Sequence, residues 1–288
     1  MEEPTEEDCC HSDCVNCVLD IYQRQKSPKG LSILKPANHT NSLMSQTRYR
    51  PFRLVKIDSD APNVFIYSFA LDDSVEDETR LYFTPGEHVV LRNEPSMNSE
   101  HLSRPYTLIP WGESATFSVM IKLYAAGKMS QYINQWRVGQ KCHWRGPYGD
   151  FSYEPNTYKN VYMICMGTGI APMYAISKQI IENEEDETVI HLLYGSKTPE
   201  DIIFRKDINE LSNYWNFSCT HFISNDYHES QKKFNETFVN ERLTAESISK
   251  TIKYSKNTLV LICGSEEFNS NFCDMFNGVP EIKVHVFS

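Results

Sequence analysis

This 288-residue sequence lacks long apolar runs, an excess of basic charge and a disulfide pattern. No stretch approaches the roughly 18–20 consecutive apolar residues of a membrane span, so no transmembrane segment is expected. Lys and Arg number 28 against 38 Asp and Glu, a net charge of −10. Nucleic acid is thereby disfavoured as a main ligand, because phosphate binding needs a basic face. The chain opens Met1-Glu2-Glu3-Pro4-Thr5-Glu6-Glu7-Asp8, acidic where a secretory signal is basic and then apolar, and without the arginines of a transit peptide. A cytoplasmic protein is expected, with peripheral association at a membrane left open. The nine cysteines are an odd number, and five of them (Cys142, Cys165, Cys219, Cys263, Cys273) are scattered, mostly in apolar runs. That distribution suits reduced, buried thiols.

The remaining four cysteines crowd into a leader, residues 1–48. Cys10, Cys14 and Cys17 follow a C-x3-C-x2-C spacing, with Cys9 and His11 beside them. Thiolates so spaced can chelate zinc or another thiophilic metal, but a complete site usually draws on two separated ligand pairs. No second Cys/His pair follows nearby, so no metal site is assigned, and a redox-sensitive leader stays open as the other reading. Residues 27–46 are rich in Ser, Pro, Asn and Lys without periodicity, as in a linker.

From Tyr49 short alternating or apolar runs are separated by turn residues: Phe52–Ile57, Val64–Leu71, His88–Arg92, Tyr106–Ile109, Phe117–Tyr124 and Lys141–Trp144. Six strands at this spacing predict an antiparallel barrel over residues 49–157. One helix is predicted among them, Lys128–Trp136, with Met129, Ile133 and Trp136 on one face, and a tight turn at Arg145–Gly149 closes the region. Residues 158–288 alternate between the two states. Strands are expected at Val161–Met166, Val189–Tyr194, Phe217–Ser224, Leu259–Cys263 and Lys283–Phe287. Helices are expected at Met173–Glu182, Ile202–Trp215, Phe238–Ile252 and Glu267–Phe276. This rhythm predicts a parallel sheet covered by helices, with ligands beyond the strand C-termini. The fold class is therefore α+β in two domains: a six-stranded antiparallel barrel, then a parallel-sheet α/β nucleotide-binding domain. The acidic runs Asp72–Glu78 and Glu184–Glu187 read as solvated loops, and His191, inside an apolar strand, as a core histidine.

Three stretches could hold an anionic ligand. Arg104-Pro105-Tyr106-Thr107 begins an extended run and presents a cation, an aromatic ring and a hydroxyl in fixed order. These suit a phosphate, a planar heterocycle and a ring nitrogen. Gly127-Lys128-Met129-Ser130 joins a helix start to a lysine and a hydroxyl. Gly167-Thr168-Gly169-Ile170-Ala171-Pro172 lies between a strand and a helix, where glycines let backbone approach a phosphate or ring. Cys263-Gly264-Ser265, at the end of the last main strand, could face a substrate ring.

Taken in order, these motifs resemble the flavin-dependent ferredoxin reductase superfamily, most closely the NADH-cytochrome b5 reductases, over about residues 49–288. The leader resembles the oxidoreductase-like N-terminal segment. The resemblance implies FAD, with NADH as electron donor and NADPH left open, and a heme acceptor such as cytochrome b5. It implies FAD binding by Arg104, Pro105, Tyr106 and Thr107, by Ile121, Lys122 and Tyr124, and by Gly127, Lys128, Met129 and Ser130. Gly167, Thr168 and Gly169 would bind the nicotinamide nucleotide, and Thr107 and Cys263 would be catalytic. An acidic residue favouring NADH is expected after the third parallel strand, at Ser224 or Asp226. Docking of an acidic cytochrome would use Lys122, Lys141 or Arg145. The sequence departs from the family pattern in four places: Met166 stands where a second glycine precedes the threonine, Ala171 replaces a threonine, Ser265 replaces a proline, and the connection between Tyr124 and Gly127, which would cover the adenine of FAD, is several residues shorter. A different class is also open: a reductase fold without turnover, acting as a binding or regulatory module through a metal-binding leader.

Overall fold

The computed structural model describes residues 43–71, 83–94, 101–111, 116–249, 252, 257–279 and 282–287. The leader cysteines Cys9, Cys10, Cys14 and Cys17, His11 and the acidic run 72–78 lie outside the described residues. The chain divides into two compact units. One holds residues 1–58 and 65–150, and the other holds residues 59–64 and 151–288.

The first unit is a closed barrel of six antiparallel strands: β1 (Arg50–Ala61), β2 (Val64–Ala70), β3 (His88–Arg92), β4 (Ser103–Ile109), β5 (Phe117–Lys122) and β6 (Lys141–Tyr148). They run in the order β1-β2-β5-β4-β3-β6, and β6 returns to β1 with Arg50 opposite Trp144. Closure removes the free strand edges that an open antiparallel sheet would expose. The interior is aromatic: Trp144 lies edge-on to Phe69 at 5.0 Å and to Phe117 at 5.6 Å, and Phe52 edge-on to Phe117 at 5.1 Å. Helix α1 (Lys128–Ile133) is shorter than Lys128–Trp136 because its end tightens; Gln135 N and Trp136 N donate to Tyr132 O and Ile133 O. The expected apolar face nevertheless holds, with Met129, Ile133 and Trp136 all buried in the barrel core. Arg145–Tyr148, expected as a tight turn, continues β6 instead.

The second unit carries a six-stranded parallel sheet in the order β10-β9-β8-β7-β11-β12. Its strands are β7 (Asn160–Met166), β8 (Val189–Ser196), β9 (Phe217–Ile223), β10 (Thr237–Val239), β11 (Thr258–Cys263) and β12 (Ile282–Phe287). The helices are α2 (Ile170–Ile181), α3 (Arg205–Leu211), α4 (Ala245–Ile248) and α5 (Glu266–Phe276). Each central strand is buried nearly throughout, as expected of a sheet covered on both faces. The chain builds outward from β7 to β10 and then returns to β7's other side with β11. The strand order therefore reverses between β7 and β11, where such sheets bind ligands.

Three helices differ from expectation. The Ile202–Trp215 helix contracts to α3 because Phe204 takes a left-handed backbone (φ 55) and is fully buried, its ring stacked on Tyr174 at 4.5 Å. The Phe238–Ile252 helix is replaced by β10 and the short α4. Thr237, Phe238 and Val239 suit a strand, they pair with Thr220, His221 and Phe222, and α4 begins only at a Thr244–Ser247 capping box. Helix α2 begins three residues before Met173. The run Glu184–Glu187 is not wholly solvated either: Asp186 is buried and accepts from Tyr153 Oη at 2.7 Å and from the Thr188 and Asn156 amides.

Candidate nucleotide sites in the two units

In the barrel, β4 lies antiparallel to β3, with Thr107 opposite His88, Tyr106 opposite Val89 and Arg104 opposite Leu91. The described ladder to β5 begins only at Leu108. The Arg104–Tyr106 stretch thus keeps one edge without a strand partner, the setting in which a proline is tolerated. Arg104 and Pro105 are exposed, while Tyr106 and Thr107 are half-buried. One Arg104 N–H donates to Ser103 O at 2.7 Å, leaving most of its five donors for other acceptors. The Tyr106 ring leans edge-on against Trp144 at 6.0 Å. Burial pushes its hydroxyl well above the ordinary tyrosine value, and Arg104 only partly opposes this. A neutral ring held by the barrel core, an exposed guanidinium and a nearby hydroxyl share one strand, as a flat heterocycle joined to phosphates requires.

Helix α1 opens at Gly127, which gives no side-chain cap, and its first turn contains no acidic residue. Gln131 N reaches back to Gly127 O at 2.9 Å, and Ser130 Oγ accepts from Tyr124 N at 3.0 Å. Buried Met129 and Ile133 fix the helix, while Lys128 is exposed. An uncapped, acid-free start beside a lysine fits an anion. Lys122 is half-buried and Tyr124 58% exposed, whereas the Ile121 side chain belongs to the barrel core, leaving its backbone for any ligand.

In the second unit, Gly167–Gly169 forms a 3-10 turn between β7 and α2. Gly167 has φ +53, and its carbonyl accepts from Tyr194 Oη at 3.0 Å. A Cβ added to Gly169 would lie 2.2 Å from the Cys263 carbonyl oxygen. Only glycine permits the turn to meet the end of β11 so closely. Thr168 is exposed and Cys263 half-buried, its thiol pushed up to about 12 by burial and therefore protonated at neutral pH. After Gly264, Ser265 caps α5 by accepting from Phe268 N at 3.3 Å. The structure thus brings Gly167, Thr168, Gly169 and Cys263 together at the reversal of strand order. Met166 ends β7 there, 36% exposed, between two glycines; its side chain lies within 3.1 Å and 3.7 Å of where Cβ atoms on Gly264 and Gly195 would be. Ser224 and Asp226 follow β9, both exposed, and Asp226 accepts from Asn240 Nδ2 at 3.3 Å.

Arg145 cannot serve as a docking cation. It is 1% exposed, with its guanidinium over the rings of Tyr49 (5.1 Å) and Tyr148 (5.7 Å). Lys141 remains exposed. His191 is half-buried, with Nδ1 3.0 Å from Ser218 Oγ and its ring stacked on Tyr162. Sequence reasoning missed Tyr194, fully buried, whose hydroxyl donates to Gly167 O and accepts from Ile203 N at 3.3 Å. It also missed Asp60, whose carboxylate accepts from Phe204 N at 2.9 Å and whose pKa is raised by burial. Neither residue lies in a local motif, so only tertiary packing reveals them. Among the described residues no group of His, Cys, Asp and Glu could hold a metal ion, and no helix is long and apolar enough to cross a membrane.

Comparison with known proteins agrees with this division. Residues 51–153 match the oxidoreductase FAD-binding domain, residues 163–274 the oxidoreductase NAD-binding domain, and residues 2–27 the N-terminal domain of oxidoreductase-like proteins. A human protein named NADH-cytochrome b5 reductase-like is 30% identical over 99% of this chain and 93% of its own length. NADH-cytochrome b5 reductase 1 of Dictyostelium discoideum is 32% identical over 77% of this chain and 74% of its own. Among solved structures, the cytochrome b5 reductase domain of Ulva prolifera nitrate reductase superposes with a TM-score of 0.67 at 23% identity, covering 83% of this chain and 97% of that one. The CS-b5R domains of human Ncb5or give 0.69 at 19% identity, covering 83% and 69%.

Proposed function

Because the chain belongs to the NADH-cytochrome b5 reductase family of FAD- and NAD-binding oxidoreductases, we propose that it takes electrons from NADH and passes them to a one-electron heme acceptor such as cytochrome b5. Bound FAD would supply the chemistry, accepting a hydride and releasing electrons singly. The protein's own part is positioning. Tyr106, braced by Trp144, would lie against the flat ring and Thr107 would offer its hydroxyl to a ring nitrogen. Arg104, Lys128 and the first turn of α1 would hold the phosphates, with Ser130 and the backbone near Ile121, Lys122 and Tyr124 framing them. Gly167, Thr168 and Gly169 would receive the nicotinamide nucleotide, with the neutral Cys263 thiol forming a wall of that site. NADPH remains a candidate donor, and Asp226 is the residue proposed to disfavour its extra phosphate.

The observation that carries this reading is the Gly169–Cys263 approach at the switch point of the parallel sheet. The test is the visible spectrum of the purified protein, without oxygen, before and after NADH and then NADPH. Bleaching of flavin absorbance by NADH supports the reading. Arg104→Ala should yield largely flavin-free protein, and full flavin retention would count against the assignment.

Met166 favours a second reading. Its side chain occupies the strand end between Gly195 and Gly264, where a nicotinamide would have to lie. A protein that binds flavin but is not bleached by either nucleotide would be a binding or regulatory module on a reductase fold.

A further inference from the structure

Trp215 and Phe234 are the most exposed large hydrophobic side chains among the described residues, at 75% and 86%, and Tyr214 beside them is 52% exposed. They stand on two loops of the second unit, one between α3 and β9 and the other between β9 and β10. Asn235 Nδ2 donates to Asn213 Oδ1 at 3.2 Å, tying the loops together. Asn235 has φ 67, so Phe234 sits on a sharp turn. With so little of these aromatics covered, they are projecting knobs and not the floor of a groove. A cluster of this kind marks an interaction site.

The charges around them select the partner. No charged residue lies from Ser212 to Ser218, and from Ser230 to Asn235 the only charges are Lys232 and Lys233. Neither lysine makes an ion pair among the described residues. Of the adjoining acids, Glu210 pairs with Lys206 at 3.8 Å and buried Glu236 with Arg205 at 2.6 Å, while Glu229, just before Ser230, offsets one of the two lysines. In a chain of −10 overall, this corner is locally cationic. Tryptophan and tyrosine favour the headgroup level of a bilayer, and neighbouring lysines are drawn to anionic lipid.

We propose that Tyr214, Trp215 and Phe234, with Lys232 and Lys233, form a docking surface for an anionic phospholipid bilayer. The surface lies at the N-terminal edge of the sheet, where the chain enters β9 at Phe217. The Gly167–Gly169 turn lies at the opposite, C-terminal edge, about 20 Å away along seven residues of strand. Docking would leave that turn open to solvent. The proposal does not depend on the redox reading, since adsorption to lipid needs neither FAD nor NADH.

The test is sedimentation of the full chain with vesicles of phosphatidylcholine alone and of phosphatidylcholine mixed with phosphatidylserine. Binding to the mixed vesicles is expected, weakening as salt rises. Lys232→Gln with Lys233→Gln should weaken it on the order of tenfold or more. Trp215→Ser with Phe234→Ser should abolish it, while the melting temperature stays within a few degrees of the parent because both side chains are exposed. Protection of Trp215 fluorescence from acrylamide on the mixed vesicles would be a second supporting result. The proposal is overturned by absence of binding at low salt, or by binding that neither double substitution changes. Self-association abolished by Trp215→Ser with Phe234→Ser, without vesicle binding, would overturn it as well and give the surface to a second copy of the chain.

Discussion

Met166 is the side chain that most sharply separates the readings of the nucleotide site. It follows five buried residues of β7, yet is itself 36% exposed and flanked by glycines on the neighbouring strand ends. Met166→Gly removes the side chain that stands between Gly195 and Gly264 and should let a nicotinamide approach more closely. An ångström-scale misplacement can cost about a hundredfold in rate. The substitution is therefore expected to raise NADH-driven bleaching of bound flavin by roughly ten- to a hundredfold, measured by stopped flow, with flavin content unchanged. An unchanged or lower rate would show that Met166 does not obstruct the nucleotide. His221 gives a residue-scale prediction about stability. It is buried beside Phe238, and burial lowers its pKa from 6.5 to about 4, with Glu236 opposing and Arg205 assisting. A base whose folded pKa is depressed contributes stability above its unfolded pKa. That contribution is lost as pH falls from about 6.5 towards 4, up to about 3 kcal/mol. The melting temperature should decline across this window, and His221→Gln should flatten the decline.

At the scale of elements, strands were more legible than helices. Barrel strands announce themselves by alternation and by aromatic residues, and the central parallel strands by unbroken apolar runs; β3 and β7 appear close to where the sequence places them. Helices α3 and α4 were misjudged because tertiary packing overrode a helical period. A buried Phe204 in left-handed geometry stops α3 from starting earlier, and the pairing of Thr237–Val239 with β9 claims the start of the longer predicted helix. The glycine-rich turn was legible by its letters, but its reason was not: that Gly169 meets the Cys263 carbonyl is a fact of two strands more than ninety residues apart in sequence. For the same reason Tyr194 and Asp60 carry no local signature. Arg145 shows the opposite error. A cation in a turn-like Gly-Pro context looked available, whereas the continuation of β6 buries it over two tyrosines.

For the whole molecule, a net charge of −10 means that attraction of the proposed acceptor, an acidic heme protein, has to be local, through cations such as Lys122 and Lys141. Reduction of cytochrome b5 is expected to slow as ionic strength rises through physiological values, where the screening length is about 8 Å, and Lys141→Glu should slow it at low salt. Salt-independent reduction would argue against such docking. The packing of the cysteines has a consequence of another kind. Cys165 and Cys263 are register neighbours on β7 and β11, and burial raises their thiols and those of Cys142 and Cys219, to about 12 for Cys142 and Cys263. At neutral pH about one in 10⁵ of such groups is a thiolate, the form that reacts with alkylating agents. Cys142 and Cys165, which are also 0% exposed, are therefore silent in the closed fold and become reactive only when their unit opens. Residue-resolved alkylation under native conditions would then act as a clock for opening, with Cys142 timing the barrel and Cys165 the parallel sheet separately.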